Sequence, residues 1–111
     1  APLVMNHSSL IDSYKSTAQY GLSQGIRKGH PEAYLAMSQA LMLGVVFPKD
    51  PITAYAYLRV AELRAADERW MLQRTEFYKE RMSDYLSHEQ IAEAEHLALE
   101  LWKDSQTENS D

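Results

Sequence analysis

The sequence predicts a single all-α domain built from five helices. Three observations support this fold class. Apolar residues recur at helical spacing, β-branched residues never alternate over the length of a strand, and capping patterns mark several helix starts. The chain has 111 residues, enough for one compact domain, and its apolar share of 45% is ordinary for a globular fold.

The first helix is predicted over residues 9–28. Its apolar stripe consists of Ile11, Tyr14, Ala18, Leu22 and Ile26. Gly21 and Gly25 each lower the helix propensity by about 1 kcal/mol relative to alanine. Because residues four apart lie on one helix face, we expect the two glycines to permit close packing of another helix.

Two helices joined by a short loop follow. Gly29 ends the first helix, and Pro31 begins the second, with His30 as its predicted cap. The second helix is predicted over residues 31–43 and is apolar around almost its whole circumference, so we expect neighbours on both sides of it. Gly44 ends this helix, and we expect its backbone to be left-handed.

The third helix begins at Pro51 and is capped by Asp50, which is the favoured order of these two residue types. The spacing of its apolar residues predicts an inner stripe. This stripe consists of Ala54, Tyr57, Leu58 and Ala61. The fourth helix is predicted over residues 67–85. Its inner face consists of Met71, Tyr78, Met82 and Tyr85, widened by Trp70 and Phe77.

The fifth helix starts at a capping box. In this motif the Ser87 side chain accepts from the backbone N–H of Gln90, and the Gln90 side chain accepts from the N–H of Ser87. The helix is predicted to end near Lys103. The domain is therefore placed over residues 1–104, and a disordered acidic tail is expected over residues 105–111.

Composition argues against several classes of function. The net charge is −5 and the eleven Lys and Arg residues form no basic block, so no nucleic-acid partner is expected. The absence of cysteine excludes disulfides, thiolate metal sites and cysteine nucleophiles. No apolar run approaches the roughly 20 residues that cross a bilayer, so no membrane insertion is expected.

One polar arrangement has the spacing of a metal site. Glu89, Glu93, His96 and Glu100 follow one helix face, and Glu93 and His96 have the spacing seen in di-iron bundles. Such a site needs a second Glu-x-x-His and further inward glutamates, which the sequence lacks. We therefore predict a solvated charged face, no metal and no cofactor. No nucleophile lies at catalytic spacing from a base, so no catalytic residue and no enzyme are predicted.

Two stretches carry a family resemblance. "GHPEAYLAMSQALMLGVVFPKDPITAYAYLRVA", which starts at Gly29, resembles a Sel1-like repeat, a helix-turn-helix unit related to tetratricopeptide repeats. The positions that match are Gly29, Ala33, Gly44, Pro48, Asp50, Ala54, Tyr57 and Ala61. Ser38 and Val46 stand where the family has glycines. "LSHEQIAEAEHLALELWK", over residues 86–103, is similar to the closing helix of many bacterial Sel1-like proteins.

The resemblance implies a five-helix α–α hairpin solenoid that acts as a bacterial adaptor. The implied function is a non-enzymatic protein–protein interaction module whose partner is another protein. The implied location is the periplasm or the cell exterior, with the cytoplasm as the alternative. Two other interpretations stay open, an immunity-type protein that neutralises a toxin and a terminal fragment of a longer repeat protein. A hydrolase would need the nucleophile and base that the sequence lacks.

Three residues are predicted to bind the partner. Tyr34 and Tyr55 lie on the helical hairpin outside the core positions of the repeat pattern, and Arg59 lies outside the predicted inner stripe. Tyrosine and arginine are enriched at the energetic centres of interfaces. The prediction requires that both tyrosines be exposed, and the alternative is burial between helices.

Overall fold

The computed structural model describes residues 7–108, with side chains over residues 9–107. Within this range the chain is all-helical and contains no strand, which confirms the predicted all-α class. The helices are α1 (His7–Arg27), α2 (Pro31–Leu43), α3 (Pro51–Ala65), α4 (Arg69–Tyr85) and α5 (His88–Glu108). The predicted bounds of the second helix agree with those of α2.

The central element is α3, which packs against α2, α4 and α5. A helix with neighbours on three sides buries most of its circumference. The buried residues of α3 accordingly extend beyond the predicted stripe and comprise Ala54, Tyr55, Ala56, Leu58, Val60, Ala61 and Ala65. Tyr57, predicted to be a core residue, is partly buried and packs against this cluster. The second helix lies between α1 and α3, as expected from its apolar circumference.

The outer helices bury less than their sequences predict. Helix α1 packs mainly against α2, and only its C-terminal half contributes apolar residues, Leu22 and Ile26, to the core boundary. The predicted stripe is wrong in the N-terminal half, because Ile11 and Tyr14 are exposed. A helix with one neighbour over half its length has no surface against which to bury the remainder.

Helix α4 shows the same effect. It packs against α3 and buries only Met71, Thr75 and Met82. The predicted inner face is wrong for Trp70, Phe77 and Tyr85, which are all exposed. A single helix neighbour covers a narrow stripe, so the aromatic residues on either side of that stripe face solvent.

Two glycines end helices as predicted. Gly29 has φ 80°, and the His30 N–H donates to the Gly25 carbonyl at 3.0 Å, the pattern of a Schellman motif. Gly44 has φ 74°, and its N–H donates to the Ala40 carbonyl at 3.1 Å. Both positive φ angles favour glycine, because a Cβ atom would crowd the backbone there.

The predicted N-terminal caps of α3 and α5 are confirmed. Asp50 accepts from the Thr53 N–H at 3.1 Å, and Ser87 and Gln90 exchange bonds of 3.1 Å and 2.9 Å. His30 occupies the cap position of α2, but its side chain makes no capping hydrogen bond, so its predicted role is wrong. Pro31 at the first helical position removes one of the N–H groups that a cap would satisfy.

The two glycines of α1 differ in their surroundings. A Cβ atom on Gly25 would lie 2.6 Å from the Cβ atom of Ala33, whereas one on Gly21 would meet nothing within 4 Å. The expected close packing therefore holds for Gly25 and is wrong for Gly21. Helix α2 lies close to α1 at Gly25, whereas the side of α1 at Gly21 is open.

The last helix is longer than predicted. Helix α5 continues to Glu108, and Ser105 is buried, with its hydroxyl donating to the Trp102 carbonyl at 2.7 Å. Residues 105–108, predicted to belong to a disordered tail, are therefore helical. Residues 109–111 lie outside the described range.

Candidate functional site

The two tyrosines predicted to contact a partner are core residues. Tyr34 is 2% exposed and Tyr55 is 4% exposed, so the exposure that the prediction requires is absent. The Tyr34 ring lies 6.0 Å from the Tyr57 ring, and its hydroxyl donates to the Ile26 carbonyl at 3.4 Å. Tyr34 thus joins α1, α2 and α3. A partner could reach neither Tyr34 nor Tyr55 unless these helices separated.

Tyr57 is the third tyrosine of this region and has a perturbed phenol group. Burial, and to a smaller extent the neighbouring Tyr34, raises the pKa of Tyr57 above its ordinary value. No carboxylate or cation is involved in this shift. The effect is that of a phenol partly enclosed by the helices, and it gives no indication of acid–base catalysis.

Arg59 connects helices within the protein. Its Nε lies 2.9 Å from Oε1 of Glu95 on α5, and its guanidinium also pairs with Glu62 on α3. Glu62 in turn accepts from Lys79 of α4 at 3.0 Å, and Lys79 lies 3.2 Å from Glu76. Arg59 was predicted to be a partner contact because it lies off the apolar stripe. In the structure, however, the charge of Arg59 is already paired with two glutamates of the protein itself.

The candidate site is an apolar cleft between α2 and α4. Both helices pack on α3 rather than closely on each other, which leaves a space of about 540 Å³. Met82 and Ser38 are buried side chains of its wall, whereas Leu43 and Tyr85 are largely exposed. The complete lining consists of Ser38, Gln39, Met42, Leu43, Tyr78, Arg81, Met82 and Tyr85.

Exposed aromatic residues follow one side of α4, and the last of them, Tyr85, lines the cleft. We call Trp70, Phe77 and Tyr85 the aromatic stripe; their exposed fractions are 48%, 51% and 60%. Arg81 lies over the Phe77 ring, 4.3 Å from its centroid, and Lys49 lies over the Tyr85 ring at 5.3 Å. Each of these two rings therefore carries a cation.

The exposure of this stripe could have been predicted from the spacing of arginines in the sequence, although apolar periodicity alone predicts a buried face. Arg74 follows Trp70 by four residues, and Arg81 follows Phe77 by four residues. The two aromatic–arginine pairs are themselves seven residues apart, so they lie on one side of the helix. An inner helix face would not repeat arginine at this spacing, because arginine is rarely buried without a partner.

The predicted charged face of α5 is confirmed. Glu89, Glu93, His96 and Glu100 are exposed, and His96 Nε2 lies 3.3 Å from Glu100 Oε1. Among residues 7–108, no three or more His, Asp or Glu side chains come together as a metal site would need. In the same range, no helix combines the length and apolar character needed to cross a membrane.

No family model, curated protein or solved structure matches this chain. The cleft is the candidate site because of its composition. It combines an apolar lining with a row of exposed aromatic rings and with cations stacked on two of them.

Proposed function

We propose that this protein is a non-enzymatic protein–protein interaction module of the Sel1-like type, and that the cleft between α2 and α4 binds its partner. The observation that carries this proposal is the open apolar cleft beside the aromatic stripe. Contiguous exposed apolar surface in a globular protein often marks an interaction site. Concave apolar sites with a few polar groups are the usual form of a binding pocket.

The residue types around the cleft support a protein partner. Aromatic residues, methionine and arginine are enriched at protein interfaces, and the cleft and its border contain all three. Burying a leucine or phenylalanine side chain contributes about 1.5–3 kcal/mol. Leu43 and Tyr85 are mostly exposed in the free protein, so a partner that covered them would gain energy of this order.

The repeat resemblance supports the same proposal through the α2–α3 hairpin. Gly44 has the left-handed conformation that a glycine turn uses, and Asp50 caps the second helix of the hairpin. Both residues stand at positions that match the Sel1-like pattern. An adaptor role, in bacteria and outside the cytoplasm, is what this resemblance implies.

Site-directed photo-crosslinking tests the proposal. A photoreactive phenylalanine analogue replaces Tyr85 in the organism that encodes the chain, and the same analogue replaces Tyr14 as a control. Tyr14 is 75% exposed on α1, so it matches Tyr85 in chemistry and accessibility but lies off the cleft. We expect a discrete protein adduct from position 85 and none from position 14.

The captured partner then allows a quantitative measurement. Tyr85→Ala and Leu43→Ala are each expected to weaken its binding by about 1–2 kcal/mol in calorimetry, the range of a moderate interface anchor. Tyr14→Ala is expected to bind normally. Equal adducts from both positions, or normal binding by both cleft variants, would exclude the cleft as the partner site.

A further inference from the structure

We infer that the partner docks through an acidic amphipathic segment, in which carboxylate side chains flank the apolar side chains that enter the cleft. This inference rests on the proposed function and adds the chemistry of the partner. It follows from the cations along the aromatic stripe and from the lack of a carboxylate in the lining of the cleft.

Three cations border the stripe without an acidic partner. Arg81 lines the cleft, Arg74 lies one helical turn before Tyr78, and Lys49 lies over Tyr85. None of the three forms an ion pair with a carboxylate among the residues that the structure describes. Arg59 and Lys79 each contact two glutamates, whereas the remaining Lys and Arg residues of the described range are also unpaired, so the distinguishing property of these three cations is their position beside the cleft.

The lining of the cleft differs in charge from the whole chain. The chain has 16 Asp and Glu residues against 11 Lys and Arg residues, but the lining contains Arg81 and no carboxylate. Nearby carboxylates do not neutralise these cations. Asp84 follows Arg81 by three residues but makes no ion pair with it, and Glu68 accepts from the Trp70 indole N–H at 2.8 Å. The cations at the cleft therefore remain available.

The arginine at the cleft is also positioned for a carboxylate. Stacking on Phe77 at 4.3 Å restricts the Arg81 guanidinium, and its N–H groups make no hydrogen bond with a side chain in the described range. A guanidinium offers five donors in a planar fork that fits a carboxylate. A restricted fork loses less rotamer freedom when the ion pair forms, which favours binding.

The length of the stripe sets the size of the segment. Trp70 and Tyr85 are 15 residues apart, which corresponds to about 22 Å along the helix axis. A partner helix of about 15 residues has the same length. Its apolar residues at helical spacing would fill the cleft, and acidic residues beside them would reach Arg74 and Arg81, the helix-in-groove mode of recognition.

A peptide selection tests this inference. A random library of peptides of about 15 residues, the length of the stripe, is displayed on phage and selected against the whole chain. We expect enriched sequences that combine Asp or Glu with Leu, Phe or Trp at helical spacing. A synthetic copy of an enriched peptide is then titrated against the protein and its variants.

The variants separate charge at the cleft from charge elsewhere. Arg74→Gln with Arg81→Gln is expected to weaken peptide binding about tenfold or more and to reduce its salt dependence. Arg69→Gln is the matched control, because Arg69 is an exposed arginine of the same helix, about 120–140° around the helix axis from Arg74 and Arg81. It is expected to leave the affinity unchanged. All three arginines are exposed, so the variants are expected to keep the wild-type circular dichroism spectrum.

Other occupants would give different results. Enrichment of basic or uncharged peptides that still require Tyr85 would overturn the acidic segment and leave the cleft as a protein-binding site. Failure to enrich any peptide would also overturn it, and the crosslinking at Tyr85 would decide the proposed function separately. Tighter binding of oligo-dT through Arg74 and Arg81 would identify a nucleic-acid site. Self-association in sedimentation that Tyr85→Ala abolishes would identify a second copy as the occupant.

Discussion

The Ser38 hydroxyl donates a hydrogen bond to the backbone carbonyl oxygen of Ala54, and the two oxygen atoms lie 2.6 Å apart. Both residues are buried, and the bond joins α2 to α3 beside the cleft. Ser38 stands where the Sel1-like pattern has a glycine. A glycine has no side chain to make this bond, so serine supplies an additional link between the two helices of the hairpin.

Removing this hydroxyl is expected to destabilise the protein. Ser38→Ala leaves the hydrogen bond unmade in a buried site, and the expected loss is about 1 kcal/mol of unfolding free energy. Urea titration measures the change. Ser83→Ala is the control, because the Ser83 hydroxyl is exposed and bonds only to Lys79 of its own helix. Equal losses of unfolding free energy in the two variants would mean that the buried bond contributes no more to stability than the exposed one.

The two glycines of α1 are expected to respond in opposite directions to alanine. Gly21→Ala raises helix propensity in open space, so it is expected to stabilise the protein by up to about 1 kcal/mol. Gly25→Ala places a Cβ atom 2.6 Å from that of Ala33, so α1 must shift and the urea midpoint is expected to fall. A rise in both variants would show that α1 and α2 separate without cost.

Substitution of Gly44 is expected to destabilise the protein for two reasons. Its φ of 74° is costly for a residue with a side chain, and a Cβ atom would lie 3.0 Å from the Cβ atom of Lys49. Gly44→Ala is therefore expected to cost about 1 kcal/mol or more, measured by urea titration. Gly44→Asn is expected to cost less than a bulkier substitution such as Gly44→Val, since asparagine tolerates the left-handed region. Equal midpoints for these two would contradict the backbone explanation.

Burial predicts that Tyr34 and Tyr55 are structural residues. Tyr34→Ala and Tyr55→Ala each remove a ring from the core, and the expected loss is about 3–5 kcal/mol by analogy with other aromatic truncations. Tyr85→Ala is expected to change stability by at most about 0.5 kcal/mol, because this residue is exposed. Thermal unfolding of the three variants measures the difference. A stable Tyr55→Ala variant would show that the ring is not in the core.

Tyr57 is expected to make stability fall in alkaline solution. The folded state raises the pKa of this phenol. Its contribution to the free energy of unfolding is therefore fully present at pH values below the pKa of the unfolded chain, about 10. It is lost as pH rises through the higher folded value, since ionisation then favours the unfolded chain. Urea titrations from pH 9 upward measure the effect. We expect a shallower decline for Tyr57→Phe and an unchanged decline for Tyr14→Phe, whose ring is exposed.

The sequence by itself determined the helices and most of their ends. Asp50 before Pro51, Ser87 three residues before Gln90, and the turn glycines Gly29 and Gly44 act through atoms a few residues away. Interactions of this range are present in the order of the residues, so they were predictable without the fold. The end of α5 was missed because the polar sequence after Lys103 gives no sign that Ser105 is buried.

Only the tertiary structure decided which face of each helix is buried. Tyr55 is in the core because α3 has three helix neighbours, whereas Phe77 and Tyr85 are exposed because α4 packs mainly against one. The cleft exists because α3 holds α2 and α4 apart, and Arg59 is engaged because α5 brings Glu95 to it. Apolar periodicity gives the faces that a helix can bury, but the number and placement of neighbouring helices determine which of them are covered.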